Sequence, residues 1–272
     1  MMSVPARTVG DMTLTMLGGP LSRKLPETRN FSITGPAHSL LMEPFGRRVR
    51  AEVDGVVVLD TVRGALLHET GLLPQLYAPE GDFRTDLLEP TATSTHCPFK
   101  GDASYRSIRV GDHVVTDAVW SYPEPLEGTP WLAGLAALPF SAADRWLDED
   151  DAVTGHLTDP YHRVDLRHTT RPVTVTAADG TVVAKAEHSV LLAETGFENR
   201  FYLDADAVRV PIERTEATST CPYRGDATWF SVRVGDTLLP DAAWSYETPH
   251  DEARAIAGLV CLAHDELTVA VG

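Results

Sequence analysis

The chain has 272 residues, with 39 acidic side chains against 23 basic ones, a formal net charge of −16, and 43% hydrophobic but only 7% aromatic residues. So acidic a chain lacks the clustered Lys and Arg that neutralise phosphates, which argues against a nucleic-acid partner and against an anionic membrane surface. No run approaches the about 18 to 20 apolar residues a bilayer span needs, and the N-terminal stretch, interrupted by Asp11, does not read as a signal peptide. Three cysteines are too few, and an odd number, for a disulfide framework, so a reducing cytoplasm is expected.

In chain order, residues 1–45 contain Gly18-Gly19-Pro20 and Gly35-Pro36, share no block with the rest of the sequence, and read as an N-terminal arm or cap. A first repeat is expected over 46–150. Val49, Ala51 and Val53 lead through Asp54-Gly55 into Val56-Val57-Val58-Leu59, a strand–turn–strand signal, because Asp-Gly tolerates the positive φ a tight hairpin requires. Gly111-Asp112 marks a second hairpin. A short helix is expected from Ser141 through Trp146, where Ser-Ala-Ala-Asp resembles an N-cap. The acidic run 148–151 and the polar stretch to His162 read as a linker over 151–162. The second repeat, 163–272, again opens on a hairpin, Val173-Thr174-Val175-Thr176 and Thr181-Val182-Val183 around Asp179-Gly180. Gly235-Asp236 then marks another turn and 251–257 a short helix.

The repeat itself is explicit. Cys97-Pro98-Phe99-Lys100-Gly101-Asp102-Ala103 returns 124 residues later as Cys221-Pro222-Tyr223-Arg224-Gly225-Asp226-Ala227. Asp117-Ala118-Val119-Trp120-Ser121-Tyr122 returns at the same offset of 124 as Asp241-Ala242-Ala243-Trp244-Ser245-Tyr246. Glu69-Thr70-Gly71 matches Glu194-Thr195-Gly196 at 125, a one-residue indel. A period this long means tandem domains and not a solenoid. The expected fold is mainly β: two homologous small antiparallel β domains of sandwich or roll type, related by a pseudo-twofold, with few short helices.

Cys-Pro-aromatic-Lys/Arg-Gly-x-Ala, followed by Asp-Ala-x-Trp-x-Tyr, resembles the family known as domain of unknown function 427, in its tandem form. The resemblance covers residues 46–140 and 163–272. It implies a small β-rich domain with a site near the Cys-Pro motif. The family sometimes carries a nucleotidyltransferase label, which the residues do not support. Asp204-Ala205-Asp206 has the spacing of a metal-holding carboxylate pair but no Gly-Ser partner and no twin, and neither a P-loop nor Gly-x-Gly-x-x-Gly occurs.

The repeated residues supply the candidates. Cys97 and Cys221 are candidate nucleophiles, their thiols activated by Lys100 and Arg224 three residues on; the other reading is a small buried hydrophobe stiffened by proline. Lys100 and Arg224 either anchor an anionic ligand or pair with the adjacent Asp102 and Asp226. Glu69 and Glu194 end apolar runs and are candidate general bases with raised pKa, or else turn-capping acids. Trp120 and Tyr122, like Trp244 and Tyr246, alternate with a serine in strand period and form a pocket wall or core. Cys261 reads as core. No histidine is found at equivalent positions, so His96, His68 and His188 stay outside the candidate site and His162 reads as a solvated linker residue. No Cys-x-x-Cys occurs, and neither a metal nor a cofactor is implied. These residues point to an enzyme of lyase or hydrolase type acting on a small polar or anionic metabolite. The alternatives are a non-catalytic binding module with structural cysteines, and a set of fold determinants only. The expected partner is a small-molecule ligand, and the expected state a monomer with internal pseudo-twofold symmetry or a homodimer.

Overall fold

The structure, a computed structural model, describes residues 38–272, so all but the end of the arm read over 1–45 lies outside it. Among the described residues the chain is mainly β with only short 3-10 turns, and it divides into two compact units whose described parts are 38–157 and Thr158–Gly272. No helix among the described residues is long and apolar enough to cross a membrane.

The first unit contains β1 (Leu40–Pro44), β2 (Val49–Val53), β3 (Val56–Thr61), β4 (Ala65–Glu69), β5 (Gln75–Pro79) and β6 (Leu88–Cys97). It continues with β7 (Gly101–Val110), β8 (His113–Ser121), β9 (Leu135–Ala137), β10 (Arg145–Asp148) and β11 (Asp151–Val153). Seven strands form one antiparallel sheet in the order β1-β4-β5-β9-β8-β7-β6, and four form a second, β11-β10-β2-β3. Val49, Ala51, Val53 and Leu59 of the small sheet pack against Leu66, Leu76, Ile108, Val119 and Ala136 of the large one, which makes a sandwich. The expected Asp-Gly hairpin forms, with both turn residues at positive φ (Asp54 49°, Gly55 73°).

The second unit contains β12 (Val164–Thr169), β13 (Val173–Ala177), β14 (Val182–Ala186), β15 (Ser189–Glu194) and β16 (Arg200–Leu203). After these come β17 (Ile212–Cys221), β18 (Gly225–Val234), β19 (Thr237–Ser245), β20 (Val260–Leu262) and β21 (Leu267–Val271). Its large sheet, β12-β15-β16-β20-β19-β18-β17, repeats the order of the first, and its small sheet is β14-β13-β21. In both units the outermost strand of the large sheet, β6 or β17, is ten residues long and slips register partway along, between Pro90 and Ser94 or between Arg214 and Thr218. Asp117 and Asp241 sit nearby at positive φ (50° and 47°) and accept hydrogen bonds from threonines of that strand.

Three sequence expectations change. The helix expected from Ser141 is a single 3-10 turn, Phe140–Ala142, and Trp146 lies in β10 opposite Ala51. Burying that indole between the sheets outweighs the local Ala and Asp helix signal. The acidic run 148–151 is the β10–β11 hairpin turn and not a linker, since Asp148 pairs with Asp151 across it. And β1 falls within the stretch assigned to the arm, where it pairs with β4 as β12 pairs with β15.

Candidate active site

Along β4, Leu66 points into the sandwich core, so Leu67 and Glu69 project from the opposite face of the large sheet. The same face carries Tyr77 of β5 and Trp120 and Tyr122 at the end of β8, which pack together with Cys97. The Cys-Pro motif is the turn between β6 and β7: Pro98 follows Cys97, and the Lys100 N–H donates back to the Cys97 carbonyl at 3.3 Å. Gly101 then takes φ 104°, where a side chain would also meet the Glu124 carbonyl oxygen at 3.2 Å. Gly225 repeats this at φ 96°. Only glycine fits, and the reversal sends the Lys100 side chain inward to the Glu69 carboxylate.

Two groups meet at that carboxylate. Lys100 Nζ donates to Glu69 Oε2, and His38 Nε2 lies 2.9 Å from Oε1. Phe99 stacks on the His38 imidazole with ring centroids 4.0 Å apart, and the Tyr122 ring lies 5.9 Å beneath the ammonium. The Tyr77 hydroxyl accepts the Trp120 indole N–H at 3.0 Å, which fixes the aromatic floor.

The second unit builds the same constellation. His162 Nε2 lies 2.9 Å from Glu194 Oε1, Arg224 donates to Oε2 at 2.5 Å, and Arg224 Nε reaches the Tyr246 hydroxyl at 3.1 Å. Tyr223 stacks on His162 at 4.4 Å, and Trp244 donates to the Tyr202 hydroxyl at 2.9 Å.

The candidates therefore fare differently. Glu69 and Lys100 are brought together, as are Glu194 and Arg224, with the Trp and Tyr of each unit beside them. The cations do not pair with Asp102 and Asp226, which instead bond His96 and Thr220; the hairpin turn points the two kinds of side chain to opposite sides. Glu194 is not a raised carboxyl. Burial alone would push it up, but the His162 hydrogen bond and the Arg224 charge outweigh that and hold it below its ordinary value. The Cys221 thiol is not activated: burial pushes it up by more than Arg224 draws it down. Cys261 is core as expected, and burial pushes its thiol up to about 12.

The expectation that no histidine recurs is overturned. His38 and His162 occupy the same place, 124 residues apart, and His162 is no solvated linker residue, with only 9% of its side chain exposed. The signal was present as Pro36-Ala37-His38 and Pro160-Tyr161-His162, and Tyr77 and Tyr202 likewise recur at an offset of 125.

Tandem β-sandwiches, each carrying a His–carboxylate–cation cluster with a buried cation on the outer face of its seven-stranded sheet, are thus the class the geometry defines. The sequence matches the family model described as domain of unknown function (DUF427) twice, over residues 41–149 and 165–271, and the chain belongs to that family. No curated protein matches it.

Proposed function

We propose that the chain is an enzyme that moves protons on a small polar or anionic metabolite, in a lyase or hydrolase reaction, with His38 and His162 as the acid–base groups. The observation that carries this reading is the histidine clamped to a carboxylate that is itself held by a cation, built twice from residues far apart in sequence. Glu69 accepting from Nε2–H fixes the tautomer and leaves Nδ1 as the proton-accepting nitrogen. When Nδ1 takes a proton, the same carboxylate stabilises the imidazolium, and the proton can then be returned to a leaving group. Lys100 and Arg224 each donate to the glutamate carboxylate that holds the histidine, so they position the histidine and are not the main anchor of a substrate charge. Glu69 and Glu194 take the same positioning part in place of general base. Cys97 and Cys221 line the site without acting as nucleophiles, and Trp120, Tyr122, Trp244 and Tyr246 form its wall.

A second reading, a binding module with structural cysteines, is favoured by the burial of Cys221 and by the pairing of every charge inside the cluster. The two separate in one experiment. The full chain is incubated with a metabolite mixture and followed by NMR, beside a His38→Gln/His162→Gln double variant and a Cys97→Ser/Cys221→Ser variant. Consumption of a metabolite that is lost with the histidines and kept without the thiols supports the enzyme. Line broadening of a metabolite with no chemical change supports the binding module.

A further inference from the structure

We propose that the first repeat carries the accessible, working site and that the second is a locked copy; this rests on the acid–base reading above. The two clusters share a histidine, a glutamate and a cation, but among the described residues they differ in their cover. His38 exposes 21% of its side chain and His162 9%. Above His38 lies Phe99, 41% exposed and without a hydroxyl. Above His162 lies Tyr223, whose hydroxyl accepts the Asp159 backbone N–H at 2.7 Å.

Asp159 also ties down its own loop. Its carboxylate accepts the Tyr161 N–H at 2.8 Å and its carbonyl accepts the His162 N–H at 3.1 Å. The stacked ring, the loop and the histidine therefore form one hydrogen-bonded unit, and His162 cannot be uncovered by a ring flip alone. On the other side, Phe197 sits edge-on to His162 at 6.3 Å, whereas its counterpart Leu72 is 52% exposed. Beneath, Arg224 holds Tyr246 as well as Glu194, while Lys100 has the Tyr122 ring under it. Cys221 is buried and Cys97 half-buried. Among the described residues these differences close the second histidine relative to the first, and the Tyr223–Asp159 latch is the one that ties its covering ring to the loop.

The cover itself is tested without a substrate. The native full chain is acylated with diethyl pyrocarbonate at fixed pH, and each histidine is followed by peptide mass spectrometry. With the exposure difference and one tethering hydrogen bond to break, His38 is expected to react about tenfold faster than His162. Tyr223→Phe should raise the His162 rate several-fold and leave His38 unchanged. Iodoacetamide on the same unmodified protein should label Cys97 ahead of Cys221, a measurement independent of whether the variant folds. Equal rates at the two histidines, or a His162 rate unmoved in folded Tyr223→Phe, overturns the lock. Turnover distinguishes this failure from failure of the acid–base role. His38→Gln abolishing it and His162→Gln sparing it supports the proposal, whereas equal losses overturn the asymmetry and keep the acid–base reading.

Discussion

Lys100 and Arg224 leave the same hairpin turn and meet the same kind of carboxylate, yet they do different work. The ammonium of Lys100 is a point charge beside Glu69, with Tyr122 offering only its ring. The guanidinium of Arg224 is a rigid fork, and it holds Glu194 through one nitrogen and the Tyr246 hydroxyl through another. A planar donor set thus cross-links the end of β15 to the end of β19, a joint the lysine cannot make. After duplication, one exchange of cation separates a cluster that holds a histidine from one that also fastens its surroundings.

The sharpest way to break this comparison is to remove the cations. Arg224→Ala takes the cation from a buried carboxylate and the donor from a buried phenol, and should cost the second repeat about 3–5 kcal/mol, read from denaturant unfolding. Lys100→Ala should cost the first repeat less, since one acceptor loses its donor instead of two; equal losses would remove the distinction. Next, the repeats should behave alike where they are built alike. Tyr77→Phe and Tyr202→Phe each leave a tryptophan N–H unpaired, and each should cost about 1–3 kcal/mol by the same measurement.

Acid sharpens the comparison further. Because the folded Glu194 carboxyl lies below its ordinary value of 4.5, its stabilising contribution is complete above that pH and is lost as pH falls through the folded value. The unfolding midpoint of the second repeat should therefore drop on acidification below 4.5, and Glu194→Gln should flatten that part of the profile. The smallest effect is expected at the strand irregularity. Asp117 accepts from Thr91 and Thr93, but Asp241 accepts from Thr215 alone, because the counterpart of Thr93 is Ala217. Asp117→Ala should lower the melting temperature more than Asp241→Ala, the strain of alanine at positive φ being common to both.

The hairpins were legible because two adjacent residues, such as Asp54-Gly55, decide a two-residue turn without help from the rest of the chain. The duplicated Cys-Pro and Trp-Ser-Tyr blocks were legible for the same reason: their roles are local. The site was only half legible. Glu69, Lys100, Trp120 and Tyr122 stood out by repetition, but His38 and His162 lie in segments that otherwise share almost nothing, and only Thr-x-Pro-x-His survives the comparison. Direction was hidden as well. Nothing in the spacing shows that Lys100 turns inward while Asp102 turns outward, because that follows from the positive φ of Gly101. The Ser141–Trp146 signal failed because a buried indole belongs to the tertiary packing and not to its neighbours.

The slip in register along β6 and β17 bears on the solution behaviour of the chain. Each of these ten-residue strands closes its sheet on one side, and a straight, fully paired strand of that length offers a template on which another molecule can zip. Duplication doubled the number of such templates per chain. The irregularity interrupts each one near its middle and turns threonines back toward Asp117 and Asp241, while Pro90 withholds a donor and Glu213, Arg214 and Glu216 add charge along the second. Straightening either strand would remove a guard against fibre-like assembly before it disturbed any chemistry.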